Sequence, residues 1–214
     1  MTARTERGGW GALARRRLAG FVVATVAVGL AGGGPARAEP SAPAARFVDG
    51  LGQKVLAVLR DGRLDRTARL ERLARLIDEA TDLAIVARLV LGRYWREASE
   101  AQRRDFVALF RALILKTIAE RLDEYGGETY EIVGVQPVDE RDSLVSTRIL
   151  RQGGTPIAVD WRVRAEGGRL LLIDFVAEGV SMVVTQRSEV AEIAGRSGID
   201  GLLAEMRRRL DRSA

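Results

Sequence analysis

Histidine and cysteine are both absent from the 214 residues. Without cysteine there is no disulfide and no thiolate metal site, so a domain working outside the cytoplasm must be held by its core alone. Without histidine the chain lacks the usual general base at neutral pH and the commonest metal ligand. Most hydrolase constellations fall at that point, and only carboxylate schemes remain. Lysine is nearly missing as well: Lys54 and Lys116 are the only two, and arginine carries the rest of the positive charge. The uncharged apolar run from Leu18 to Ala31 is shorter than the roughly 20 residues that a bilayer-spanning helix needs.

That run has another use. Arginines at 4, 7, 15, 16 and 17 precede it, and a Gly-rich stretch, Pro35 and Ala36-Arg37-Ala38 follow it. A basic start, an apolar centre and a small-x-small end are the three parts of a cleavable export signal. Residues 1–38 are therefore expected to be a signal peptide cut after Ala38, and the mature protein to work outside the cytoplasm. The general secretory route is favoured, since Arg15-Arg16 alone is weak support for a twin-arginine signal.

Subtracting the leader changes the charge. The whole chain has a formal net charge of +5 and a pI near 10.3, which would suggest an anionic polymer as partner. Residues 1–38 hold six of the 34 basic residues and one of the 29 acidic ones, so 28 of each sign remain. The mature domain is formally neutral, and nucleic acid is not expected as a partner.

Residues 39–45, EPSAPAA, read as a short flexible tail, leaving 46–211 as one domain. Phe47, Leu51, Val55, Leu56, Val58 and Leu59 recur at helical spacing up to Asp61-Gly62. A second helix is expected from about Thr67, with Leu70, Leu73, Leu76 and Ile77 on one face. Thr81-Asp82 can cap a third, almost wholly apolar segment that ends at Gly92 and should be buried. Ser99-Glu100-Ala101-Gln102 has capping-box spacing, so a long helix should run from there to Tyr125, its apolar face holding Phe106 through Leu122. From Thr129 the period becomes two, with strands near 129–137, 143–151, 156–165 and 169–177. Gly153-Gly154 and Gly167-Gly168 read as two-residue hairpin turns. In the third strand Ile157, Val159, Trp161 and Val163 share one side, with Asp160, Arg162 and Arg164 on the other. Two helices, about 184–195 and 199–211, close the chain around Ser197-Gly198. The fold class is α+β: a curved antiparallel sheet of about four strands covered by N- and C-terminal helices.

Asp160 and Asp174 are the best candidates for carboxylate catalysis, because each lies in an apolar strand-like run where burial could raise its pKa. The plainer reading puts Asp160 on the solvent face and pairs Asp174 with an arginine. Glu178-Gly179-Val180-Ser181 lacks the final glycine and the triad histidine of a nucleophile elbow. The arginine face at 66, 69, 72 and 75 is interleaved with Glu71 and Asp78 and reads as solvated rather than as a headgroup or partner dock.

Leu91-Gly92-Arg93-Tyr94-Trp95-Arg96, followed by Ala101-Gln102-Arg103 and Phe106, resembles the central helices of the MlaC (toluene-tolerance) family. Tyr125-Gly126-Gly127-Glu128-Thr129-Tyr130 is similar to that family's helix-to-strand junction. Asp174 to Met182 (DFVAEGVSM) is similar to its strongest signature, and Gly198-Ile199-Asp200-Gly201-Leu202 to its terminal helix start. The resemblance runs from about 81 to 210. It implies a periplasmic carrier, not an enzyme and without cofactor or metal, that shuttles phospholipid between an outer-membrane lipoprotein complex and an inner-membrane ABC transporter with its MCE subunit. A monomer is expected. On this resemblance the fold should be cone-like with an internal apolar cavity. The acyl chains should lie there between the sheet (Val159, Trp161, Val163, with Leu172 or Ile173 depending on register) and helices carrying Leu89, Phe106, Phe110, Leu113 and Ile114, with Val180 and Met182 at the mouth. Headgroups are expected near solvent, with no dedicated charged pocket. The alternatives are a carrier of hopanoid or another apolar lipid, a cone-fold enzyme using Asp160 or Asp174, and a non-catalytic assembly module.

Overall fold

The computed structural model describes residues 42–212. The expected signal peptide and residues 39–41 lie outside the described residues. Helix α1 (Ala42–Arg60) opens with Pro43 in its first turn, where a missing amide donor costs nothing. Residues 42–45 of the expected tail are thus helical, and Ala44 is already buried.

Helix α2 (Arg66–Ala80) is capped by Asp65, whose carboxylate accepts from the Ala68 amide at 2.7 Å. Asp82 caps α3 (Leu83–Leu91) through the amides of Ala84 and Ile85, and Gly92 ends it at φ 58°. That left-handed stop suits glycine. A one-turn helix not anticipated from the sequence, α4 (Tyr94–Glu97), follows. The capping box then forms as expected: the Ser99 hydroxyl accepts from the Gln102 amide at 3.2 Å and the Gln102 side chain from the Ser99 amide at 2.9 Å, opening α5 (Glu100–Arg121).

The sheet is an antiparallel meander in the order β1-β2-β3-β4-β5: β1 (Thr129–Pro137), β2 (Asp142–Leu150), β3 (Ile157–Glu166), β4 (Arg169–Ala177) and β5 (Val180–Ser181). The expected four strands are joined by a fifth of two residues. Gly167 and Gly168, both at positive φ, make the tight turn between β3 and β4. Gly153-Gly154 instead sits within a longer connection, 151–156, between β2 and β3. The last helix, α6 (Met182–Asp211), is interrupted at Gly198 (φ 68°, ψ −177°), so it acts as the two expected helices.

Three packing regions hold this together. Ala44 and Val48 of α1 bury against Val145 of β2 and Val163 of β3, with Phe47, Ile132 and Leu172 half-buried around them. Val58, Leu73 and Leu122 join α1, α2 and the end of α5. Phe106, Phe110 and Leu113 are the buried residues of α5, which packs on α3 and α6. Leu171 and Ile173 of β4 are also buried, where α3 and α6 meet that strand. Leu171 pairs with Arg164, so part of the sheet's polar side is covered rather than wet.

One glycine sets how closely α1 approaches the sheet. A Cβ on Gly52 would lie 2.5 Å from the Tyr130 ring, whose hydroxyl sits 2.7 Å from the Asp49 carbonyl and 2.9 Å from its carboxylate. Burial first, and then the Asp49 contact, push the Tyr130 phenol up to about 12. Gly52→Ala is expected to lift α1 from β1 and cost about 1–3 kcal/mol. A chemical-denaturation midpoint indistinguishable from the parent's would contradict this.

Candidate functional site

Strand register settles which side chains share a side of the sheet. Val159 pairs with Ala177, Trp161 with Phe175, Val163 with Leu172, and Ala177 in turn with Val180. All of these lie on the apolar side. Helix α1 rests on β1 and β2, so this side is covered at one edge and thinly covered towards β3, β4 and β5. Val163 is 1% exposed, whereas Phe175 is 39% and Val180 42% exposed. Trp161 lies between them, half-buried, its ring 5.9 Å from that of Phe175. The indole NH donates to Thr147 Oγ1 at 2.9 Å, and that hydroxyl donates to the Val159 carbonyl at 2.9 Å. This relay fixes the ring and satisfies a buried polar group. Phe175 was not among the residues expected at the site, because an aromatic facing solvent on a strand carries no periodic signal of its own.

The other expected residues fall into two groups. Phe106, Phe110, Leu113 and Val159 are buried in the described chain. Phe106 and Phe110 stack on each other at 6.0 Å with their planes 8° apart. Leu89, Ile114, Leu172 and Met182 are half-buried and keep accessible apolar surface. The register thus brings together Val159, Trp161, Val163, Leu172 and Val180; Phe106, Phe110, Leu113 and Ile114 belong to α5, whose packing partners are α3 and α6.

The stretches that resemble the family have structural work to do. Among the described residues Asp174 pairs with no arginine: it accepts from the Ser181 hydroxyl at 2.5 Å and from the Val183 amide at 3.0 Å. It therefore positions the start of α6, which Ser181 caps through the Val184 amide. Glu178 stands at φ 50°, a strained conformation for a residue with a side chain. Its amide donates to the Ala158 carbonyl and its carboxylate accepts from the Ala158 amide at 2.7 Å. In the helical region Tyr94 is buried, takes a hydrogen bond from Arg93 at 2.8 Å and donates to the Ala191 carbonyl. Gln102 donates to Asp200 at 2.8 Å. These contacts tie α4 and α5 to the two halves of α6.

On the polar side Asp142 has no accessible side-chain surface and holds Arg164 at 2.7 Å and Arg162 at 2.7 Å. The Arg164 hydrogen bond, reinforced by Arg162, keeps its carboxyl below the usual carboxylate range. Asp160 is half-buried on the same side, opposite Ser146 and Val176. Among the described residues no group of three or more acidic side chains is placed to hold a metal ion, and no helix is long and apolar enough to cross a membrane. The arginine face of α2 is solvated and cross-linked: Arg66 reaches Asp123, Arg72 reaches Asp61 and Arg75 reaches Glu71.

The fold is similar to that of a phospholipid-binding protein from Ralstonia solanacearum, solved in complex with a phospholipid. The TM-score is 0.71 at 22% sequence identity, covering 79% of this chain and 97% of that one. A family model described as MlaC protein matches residues 50–208. The match reaches back into α1, beyond the stretch where the sequence resemblance was plain. The four sequence stretches, the meander they build and this match over most of the sequence lead to one conclusion: the chain belongs to the MlaC family.

Proposed function

We propose that this protein is a periplasmic phospholipid carrier that takes acyl chains onto the apolar side of its sheet and carries lipid between outer-membrane and inner-membrane complexes. The observation that carries the reading is the row Trp161, Phe175 and Val180, apolar side chains that continue the buried α1–sheet core into solvent-accessible surface. Half-buried Leu172, the register partner of Val163 on the same side, supplies further apolar contact. Family membership and the bound phospholipid of the Ralstonia protein support the same cargo. The thermodynamic need is plain: at ~0.8 kcal/mol per CH₂, a 16-carbon chain costs about 12 kcal/mol to expose to water. Free lipid does not cross an aqueous space at a useful rate, so a carrier must enclose the tails. The export signal read at residues 1–38 would deliver the chain to such a space.

The test is solvent extraction and native mass spectrometry of the full chain, exported and purified from a Gram-negative host. Co-purified phospholipid is expected. Phe175→Asp sits on accessible surface and should leave the fold intact, yet it should lower lipid per protein by at least about tenfold, since a buried phenylalanine contact is worth roughly 1.5–3 kcal/mol. Protein that carries no lipid, or lipid content untouched by Phe175→Asp, would refute the site. Transfer to partner complexes is tested separately, by passing labelled lipid from loaded protein to purified inner-membrane transporter in nanodiscs.

A further inference from the structure

The other side of the sheet holds a hollow that the sequence does not announce. A cleft of about 600 Å³ opens between α3, α4, α6 and the hairpin end of the sheet. Arg88, Arg93, Arg96 and Arg187 line it from the helices, and Arg141 and Arg164 from the sheet. Ile85, Leu89 and Trp95 add apolar wall. Glu166 is the one carboxylate of the lining, and it pairs with Arg141 at 3.7 Å. Asp142, behind the cleft, takes Arg164. The four helix arginines have no ion-pair partner among the described residues.

Two of those four are positioned in advance. Arg187 donates its Nε to the Leu89 carbonyl at 2.7 Å, and Arg93 donates to the Tyr94 hydroxyl while its guanidinium lies 4.8 Å over that ring. Among the described residues Arg88 and Arg96 make no hydrogen bond or ion pair. Four guanidiniums gathered around one hollow, of which Arg93 is offset at longer range by Glu97, repel one another, and an anion of complementary shape relieves that repulsion. Arginine forks bind carboxylate and phosphate in two-point fashion. A planar carboxylate is served by one or two forks, whereas forks arriving from three helices suit a tetrahedral group with oxygens on several sides. The volume is that of a small-ligand pocket, and the apolar wall favours an ester over a bare ion.

We propose that this cleft is a binding site for a phosphate ester, presented either by a lipid headgroup or by a soluble phosphate. It stands on the opposite side of the sheet from the Trp161–Phe175 row, as the alternation of Val163 and Arg164 requires, and it does not depend on acyl-chain binding there.

Calorimetric titration of the full chain, followed in parallel by tryptophan fluorescence, tests this with three probes: inorganic phosphate, sn-glycerol 3-phosphate and dihexanoyl phosphatidylglycerol below its micelle concentration. The double variant Arg88→Gln/Arg96→Gln removes two arginines without partners and should leave the fold unchanged. A control, Arg75→Gln/Arg104→Gln, removes the same charge from exposed arginines whose ion pairs are local. Saturable binding is expected, weakened at least about tenfold by the cleft variant and little by the control. Binding of the soluble esters identifies phosphate itself as the ligand, and binding of the lipid alone that the cleft variant weakens identifies a headgroup; either upholds the site. Three outcomes overturn it: no saturable binding of any probe, equal weakening by both double variants, or binding of every probe that survives Arg88→Gln/Arg96→Gln.

Discussion

Phe106→Ala is expected to cost the domain about 3–5 kcal/mol while leaving the lipid carried per folded molecule unchanged. The ring has 0% exposure and stacks on Phe110 in the region where α5 meets α3 and α6. Removing it deletes buried apolar area and leaves a cavity that stacked neighbours refill only in part. A side chain with no accessible surface has nothing to offer a ligand unless the packing opens. Urea midpoints measure the first half of the expectation, and lipid extraction from the folded fraction the second. Intact stability with lost lipid would move Phe106 from the core to the wall of the cargo site, where the family resemblance had placed it.

Asp142→Asn is the second large effect, about 3 kcal/mol at neutral pH. The cost arises because an amide cannot neutralise Arg164 and Arg162, and leaving a buried charge without its partner is more harmful than losing the pair altogether. The figure is taken at the low end because the Arg162 side chain is 38% exposed and water screens it, whereas Arg164 is 19% exposed. The pH dependence follows from the lowered Asp142 pKa. A carboxylate whose folded value lies below its unfolded value, about 3.9, contributes stability above that value and loses it as pH falls through the folded one. The gap between parent and Asp142→Asn should therefore be full at pH 5–7 and narrow progressively below about pH 4. Denaturation midpoints of both proteins across that range check it, and a gap of constant size down to pH 2 would show that the pair does not stabilise through its charge.

Much of the architecture was legible because the signals are local. Asp65, Asp82 and Ser99 each cap the helix that follows by reaching two or three residues along the chain. Alternation in β1 to β4 reports a sheet with one apolar side, and the strand ends lie within a residue or so of the expected positions. Where reading failed, the missing information was non-local. The helical start at Ala42 depends on burying Ala44 against the sheet. Asp174 was expected to find an arginine, and Arg162 is indeed its register partner, but Asp142 holds that guanidinium and Ser181 and Val183 are offered to Asp174 instead. Covering of the polar side at Leu171 likewise needs helices from both ends of the chain.

The two candidate sites divide along the same line. That Val159, Trp161 and Val163 share an apolar side follows from the two-residue period of a strand and nothing more. Whether an apolar side chain is core or available to cargo depends on what lies over it, and α1 covers β1 and β2 while leaving Phe175 and Val180 accessible. The arginine cleft is more dependent still on tertiary structure. Its residues are spread from Arg88 to Arg187, unremarkable in a sequence where arginine supplies nearly all the positive charge. Local rules of capping, period and turn chemistry act over a few residues, so the sequence by itself determined the elements, the sides of the sheet and the family resemblance. Convergence of side chains from three helices and two hairpins is a property of packing, and only the tertiary structure decided it.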